Sequence, residues 1–168
     1  MKKLICAAAA VAAAGMTACA DIPTAAAQSY GAGPNYSLRP AYGTVNLNAG
    51  FTPDPYVVSL DAGGSISAQS SVSSSCRGWI AQAPDVRLNY RAGDFPLYLS
   101  VSAATDTTLV VNGPDGSWYC DDDGGVNGLN PALRFGSPQS GQYDIWIGTY
   151  GSGALQPARL HISELESQ

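Results

Sequence analysis

Apolar residues along this chain recur at every second position in short runs, the period of a strand with one face buried. Val86, Leu88 and Tyr90 alternate with Arg87, Asn89 and Arg91. Leu97, Leu99 and Val101 repeat the pattern, as do Ala158, Leu160 and Ile162. In residues 143–150, Ile145 and Ile147 share a face with Tyr143 and Thr149, which places Trp146 on the other face. Residues 107–112 form a further strand, with Leu109 and Val111 on one side. Asn112-Gly113-Pro114-Asp115-Gly116 follows: proline presets φ, aspartate bonds its own backbone and glycine accepts positive φ. Residues 118–120 then return, which predicts a hairpin. Weaker strands are predicted over 42–47, 56–60, 78–82 and 132–135, and serine-rich 65–75 reads as an edge strand running into a loop. No segment sustains a helical period. About nine short strands separated by Gly/Pro turns predict an all-β fold, an antiparallel β-sandwich of jelly-roll type.

Composition agrees, with nineteen glycines, eleven prolines and only 12% charged residues. The formal net charge is −5, and both lysines, Lys2 and Lys3, lie at the extreme N-terminus. An acidic chain without clustered cations is a poor partner for nucleic acid or anionic lipid. Residues 1–15, with Lys2, Lys3 and an alanine-rich apolar run, have the form of a bacterial export signal too short to be a stable membrane span. Three processing points compete. Met16-Thr17-Ala18-Cys19 is similar to a lipobox and favours cleavage after residue 18 with Cys19 acylated; ordinary cleavage after residue 20 or 27 is the alternative. Ala20 in place of aspartate makes the outer membrane the expected destination of a lipidated form, and a periplasmic or secreted protein is expected otherwise. Residues 19–40 read as a flexible tether and 41–168 as a single domain.

Beyond the leader, Cys76 and Cys120 remain, and an even pair in an oxidising compartment is most simply a disulfide. It closes a loop of roughly 45 residues, a constraint of about 3–4 kcal/mol on the unfolded chain.

Three chemistries bear on function. A serine-hydrolase triad needs a base; His161 is the sole histidine, it alternates outward on the last strand, and no G-x-S-x-G motif is present. No paired carboxylates suit glycoside hydrolysis, so the chain is expected to be no enzyme. Asp121, Asp122, Asp123, Asn127 and Asn130 sit among Gly124, Gly125 and Gly128, and oxygens on a curling loop are the ligands calcium takes. The loop lacks the bidentate acid of the twelve-residue calcium motif, that position being Ala132, and a solvated turn is the alternative. Asp106 and Asp144 are candidates to complete such a site. The aromatics Trp118, Tyr119 and Trp146, with Trp79 and Tyr150, are candidates to line a peptide- or glycan-binding face. Trp118 and Tyr119 are adjacent, so one of them is expected to point away from the core.

Cys76-Arg77-Gly78-Trp79-Ile80-Ala81, Ala83-Pro84-Asp85, Asp106-Thr107-Thr108-Leu109, Pro114-Asp115-Gly116, Cys120-Asp121-Asp122-Asp123, Asn130-Pro131 and the run Ser140 to Tyr150 occur in that order. Together they resemble the bacterial pre-peptidase C-terminal domain family over roughly residues 56–164. The resemblance implies a β-sandwich of an extracytoplasmic protein. Such domains are often appended to secreted peptidases, relatives in collagenases bind collagen, and some bind calcium. No peptidase precedes the module in this sequence. The expectation is a non-catalytic extracytoplasmic binding or adhesion module, its partner an envelope or extracellular protein or a glycan. The alternatives are a structural envelope lipoprotein that binds another surface protein, or a peptidase-associated accessory domain.

Overall fold

The structure, a computed structural model, describes residues 33–168. Among these residues eleven strands occur: β1 (Thr44–Asn48), β2 (Tyr56–Ala62), β3 (Ile66–Ser67), β4 (Trp79–Ile80), β5 (Val86–Arg91), β6 (Leu97–Ala103), β7 (Thr107–Asn112), β8 (Trp118–Asp121), β9 (Ala132–Phe135), β10 (Gly141–Thr149) and β11 (Gln156–Ser163). One helical turn, α1 (Ala68–Ser71), follows β3. The export signal, its three processing points and Cys19 lie outside the described residues.

Two sheets pack face to face, as the alternation predicts. The smaller has the order β2-β11-β6-β9 and is antiparallel throughout. In the larger, the nine-residue β10 is the central strand: β7 pairs with it from Asp144 to Thr149, while β5 pairs at Gly141 to Ile145 and β4 at Thr149. Its outer members are β1 beyond β5, β8 beyond β7, and β3 beyond β4. The β1–β5 pair is parallel, a departure from the expected antiparallel sandwich. The chain between them crosses to the smaller sheet as β2 before it returns, and such a crossover lets neighbouring strands run the same way.

The expected inward residues fill the space between the sheets. Leu88, Leu97, Leu99, Ile145, Ile147, Leu160 and Ile162 are all fully buried there. A second, smaller core lies on the outer side of the large sheet, where Ala68, Cys76, Ile80, Val110 and Trp146 meet. Segment 65–80 covers it. The serine-rich stretch does begin as an edge strand, the two-residue β3, but it passes through the helical turn α1 before its loop and forms a flap with β4. Its few apolar residues suffice because the sheet itself supplies Val110 and Trp146.

Of the expected tether, residues 19–32 lie outside the described residues, and residues 33–40 pack on the domain. Asn35 N–H donates to the Gln82 carbonyl (2.7 Å), and Pro40 is buried. Residues 33–40 are part of the domain surface, because they carry backbone groups and Tyr36 that find partners on it.

Candidate functional site

The expected β7–β8 hairpin forms, with Asn112 opposite Trp118. Gly116 occupies φ 77° in its turn, where a side chain is disfavoured. Asp115 accepts a hydrogen bond from Ser117 N–H (2.9 Å) and another from the Tyr119 hydroxyl (3.0 Å). The Ser117 bonds, the backbone one foremost, hold its carboxyl below the usual range.

The three candidate aromatics divide between the two faces of the large sheet. Trp146 is fully buried in the outer core and offers no surface to a ligand. Trp118 packs on it, with ring centroids 5.3 Å apart. Tyr119 points to the opposite side and meets Phe135 edge-on at 5.1 Å. Trp118 and Tyr119 thus do face opposite ways, yet both are partly buried, because the large sheet is covered on both faces at this hairpin. The disulfide between Cys76 and Cys120 joins the flap to β8 (Cα–Cα 5.2 Å).

The acidic loop after β8 is held by two of the residues expected to ligate calcium. Asp121 Oδ2 accepts from Gly124 N–H (2.7 Å) and Ala132 N–H (2.9 Å), closing the loop on itself. Asn130 is buried; its Oδ1 accepts from Ala103 N–H and the Thr107 hydroxyl, and its Nδ2 donates to the Ala103 carbonyl. Asp121 Oδ2 and Asn130 Oδ1 are committed to backbone and side-chain partners, which leaves Asp121 Oδ1 and the side chains of Asp122, Asp123 and Asn127 of the expected set. Asp144 is elsewhere, opposite Asn112 toward the other end of β10 and paired with Arg87 at 2.7 Å. Asp106 does approach the loop: burial first, and then the charges of Asp123 and Asp122, raise its carboxyl above the usual range. Among the described residues no group of three or more His, Cys, Asp or Glu side chains is placed to hold a metal ion.

Strand directions bring the 63–65, 104–106, 122–131 and 150–155 loops to this same end of the sandwich. Tyr150 N–H donates to the Asp106 carbonyl and Thr107 N–H to the Leu129 carbonyl. Trp79 pairs with Thr149. Here Trp79, Tyr150, Val126, Leu129 and Leu155 are all exposed, beside Asp106, Asp122 and Asp123. Leu129 has φ 75°, an uncommon state for a leucine, and its side chain is 56% exposed. Sequence reasoning singled out Trp79 and Tyr150 and missed the three aliphatics, which carry no motif.

A broad, shallow depression lies on the outer face of the small sheet, lined in part by Ser59, Asp61, Ser102 and Arg159. Ser102 Oγ lies 2.8 Å from His161 Nε2, a pairing invisible in the sequence because 59 residues separate the two. His161 Nδ1 is buried with no partner among the described residues. A catalytic serine–histidine pair needs a third group on that nitrogen to fix the ring, and none stands there. Burial, and then the charge of Arg159, lower the imidazole's pKa.

The chain matches no protein-family model, and no curated protein matches it. Among solved structures, a periplasmic lysozyme inhibitor of g-type lysozyme, Aeromonas hydrophila PliG, is similar over 71% of this chain and 96% of that one. The identity is 11% and the TM-score 0.38, too low to carry fold or function from one to the other.

Proposed function

We propose that the protein is a non-catalytic extracytoplasmic binding module that docks a cationic protein partner through the loop end of its sandwich. One observation carries the reading: exposed Trp79, Tyr150, Val126, Leu129 and Leu155 share that end with three carboxylates. Exposed apolar side chains grouped beside charge are the makings of an interface, with aromatics as anchors and acids giving sign. The left-handed backbone at Leu129 supports it, since such conformations concentrate where function requires them. The resemblance to pre-peptidase C-terminal domains points to the same class of module. Acylation at Cys19 would tether it to the envelope.

A photo-crosslinking residue placed at position 150 should yield a protein adduct in cells, weakened by Asp122→Asn/Asp123→Asn. The same residue at position 59, on the small sheet, should yield none. Equal adducts from both positions, or none from 150, would reject the proposal. The non-catalytic part is tested separately: turnover of a peptide or ester substrate that disappears in His161→Ala would make Ser102 and His161 a working pair.

A further inference from the structure

The outer face of the large sheet is covered by the flap over only part of its width. Across the rest, polar side chains stand in register. Asn46, Asn89 and Gln142 are cross-strand partners on β1, β5 and β10. The next row runs Thr44, Arg87, Asp144, Asn112 and Trp118 over five strands. Two depressions, of about 390 and 450 Å³, lie along these rows and meet at Gly141 and Gln142.

We propose that this groove binds an extended, uncharged glycan chain, a function separate from the docking of a protein at the loop end. Each amide spends one side on a neighbour and leaves the other free. Asn89 Nδ2 donates to Asn46 Oδ1 (2.9 Å), and Gln142 Nε2 to Asp144 Oδ2 (2.6 Å). Asn46 Nδ2, Asn89 Oδ1 and Gln142 Oε1 then have no partner among the described residues, so the row presents donors and acceptors together. Hydroxyl groups, which donate and accept at once, suit such a row. Strands stand about 4.8 Å apart, comparable with the length of a sugar ring, so successive rings meet successive strands.

The aromatic platform at the end of the groove is built in. Asp144, only 2% exposed, accepts from Arg87 Nε. Arg87 Nη2 in turn donates to the main-chain carbonyls of Tyr36 and Leu38. The Tyr36 ring, 52% exposed, sits 6.5 Å from Trp118 and lines the depression. Aromatic faces of this kind stack on the apolar face of a sugar. Charge argues against a polyanion: Arg87 and Asp144 neutralise each other, and among the described residues Arg91 is the one cation lining either depression.

The test is titration of the protein with cellohexaose and with chitohexaose, followed by NMR shifts or calorimetry. Saturable binding to at least one is expected, with a dissociation constant on the order of 1 mM or tighter, the range of a few polar contacts and one stacked ring. Tyr36→Ala and Gln142→Ala, both at exposed positions, should each weaken it at least about fivefold, a loss of about 1 kcal/mol. Trp79→Ala at the loop end should leave it unchanged. Absence of saturable binding to either oligosaccharide, or binding that survives both groove substitutions, would overturn the proposal. Crosslinking from position 150 is read independently, so either proposal fails without the other.

Discussion

Asp85 is the residue whose chemistry the fold changes most. Its carboxylate lies inside the sandwich end, 3% exposed, and Oδ2 accepts from Ile147 N–H at 2.7 Å. Burial outweighs that bond and raises its pKa to about 7. The folded state therefore holds a proton that the unfolded chain, with a pKa of 3.8, releases earlier. Its contribution is fully present below pH 4 and is lost as pH rises through about 7. An amide at this position would keep the acceptor oxygen without the titration. In paired melts, Asp85→Asn should be more stable than the parent above pH 7, by on the order of a few kcal/mol, since each tenfold change in proton affinity is worth about 1.4 kcal/mol. The difference should shrink toward pH 4. Parallel curves for the two proteins would mean that Asp85 ionises normally. Nothing in Ala83-Pro84-Asp85 announces this, since burial of one carboxylate depends on where β10 passes.

At the scale of elements, the flap of β3, α1 and β4 is the part that local pattern describes least. Two strands of two residues and one helical turn have little stability alone. They persist because Ile80 and Cys76 pack on Trp146 and because the disulfide ties Cys76 to β8. The bond spans a sequence separation of 44 residues, for which chain entropy suggests about 4 kcal/mol. Cys76→Ser/Cys120→Ser should lower the unfolding free energy by about 2–4 kcal/mol. Tryptophan emission should shift to the red as the cover over Trp146 loosens. An unchanged melt and spectrum would show that packing alone holds the flap. The main strands contrast with it: β5, β6, β10 and β11 have the buried faces that alternation predicts, since each carries its own apolar row.

Over the whole molecule, the two ends and the open sheet face have different characters. The loop end gathers exposed apolar residues and acids, whereas the groove carries amides, one neutralised ion pair and Arg91. Calcium belongs to the question of the loop end. Asp121 and Asn130 already hold the loop through N–H and hydroxyl donors, so the loop is expected to stay closed without an ion. Melts in calcium and in excess chelator should coincide. A ligand at a hundredfold excess over its dissociation constant would add about 2.7 kcal/mol, and a shift of that size lost in Asp122→Asn/Asp123→Asn would make the loop a metal site.

What the sequence determined by itself is the set of strands, the hairpin at 112–118 and the pairing of Cys76 with Cys120. Each rests on a local cause: period-two alternation, turn chemistry, or the count of cysteines left beyond the leader. Tertiary structure alone decided that both sides of the large sheet are covered near the hairpin, so that Trp146 is core and Trp118 and Tyr119 are both packed. It also decided that Asn130 turns inward, that Ser102 meets His161, and that Asn46, Asn89 and Gln142 form one row. These depend on which strands become neighbours, and strand order is set by burial summed over distant segments, which no local window contains.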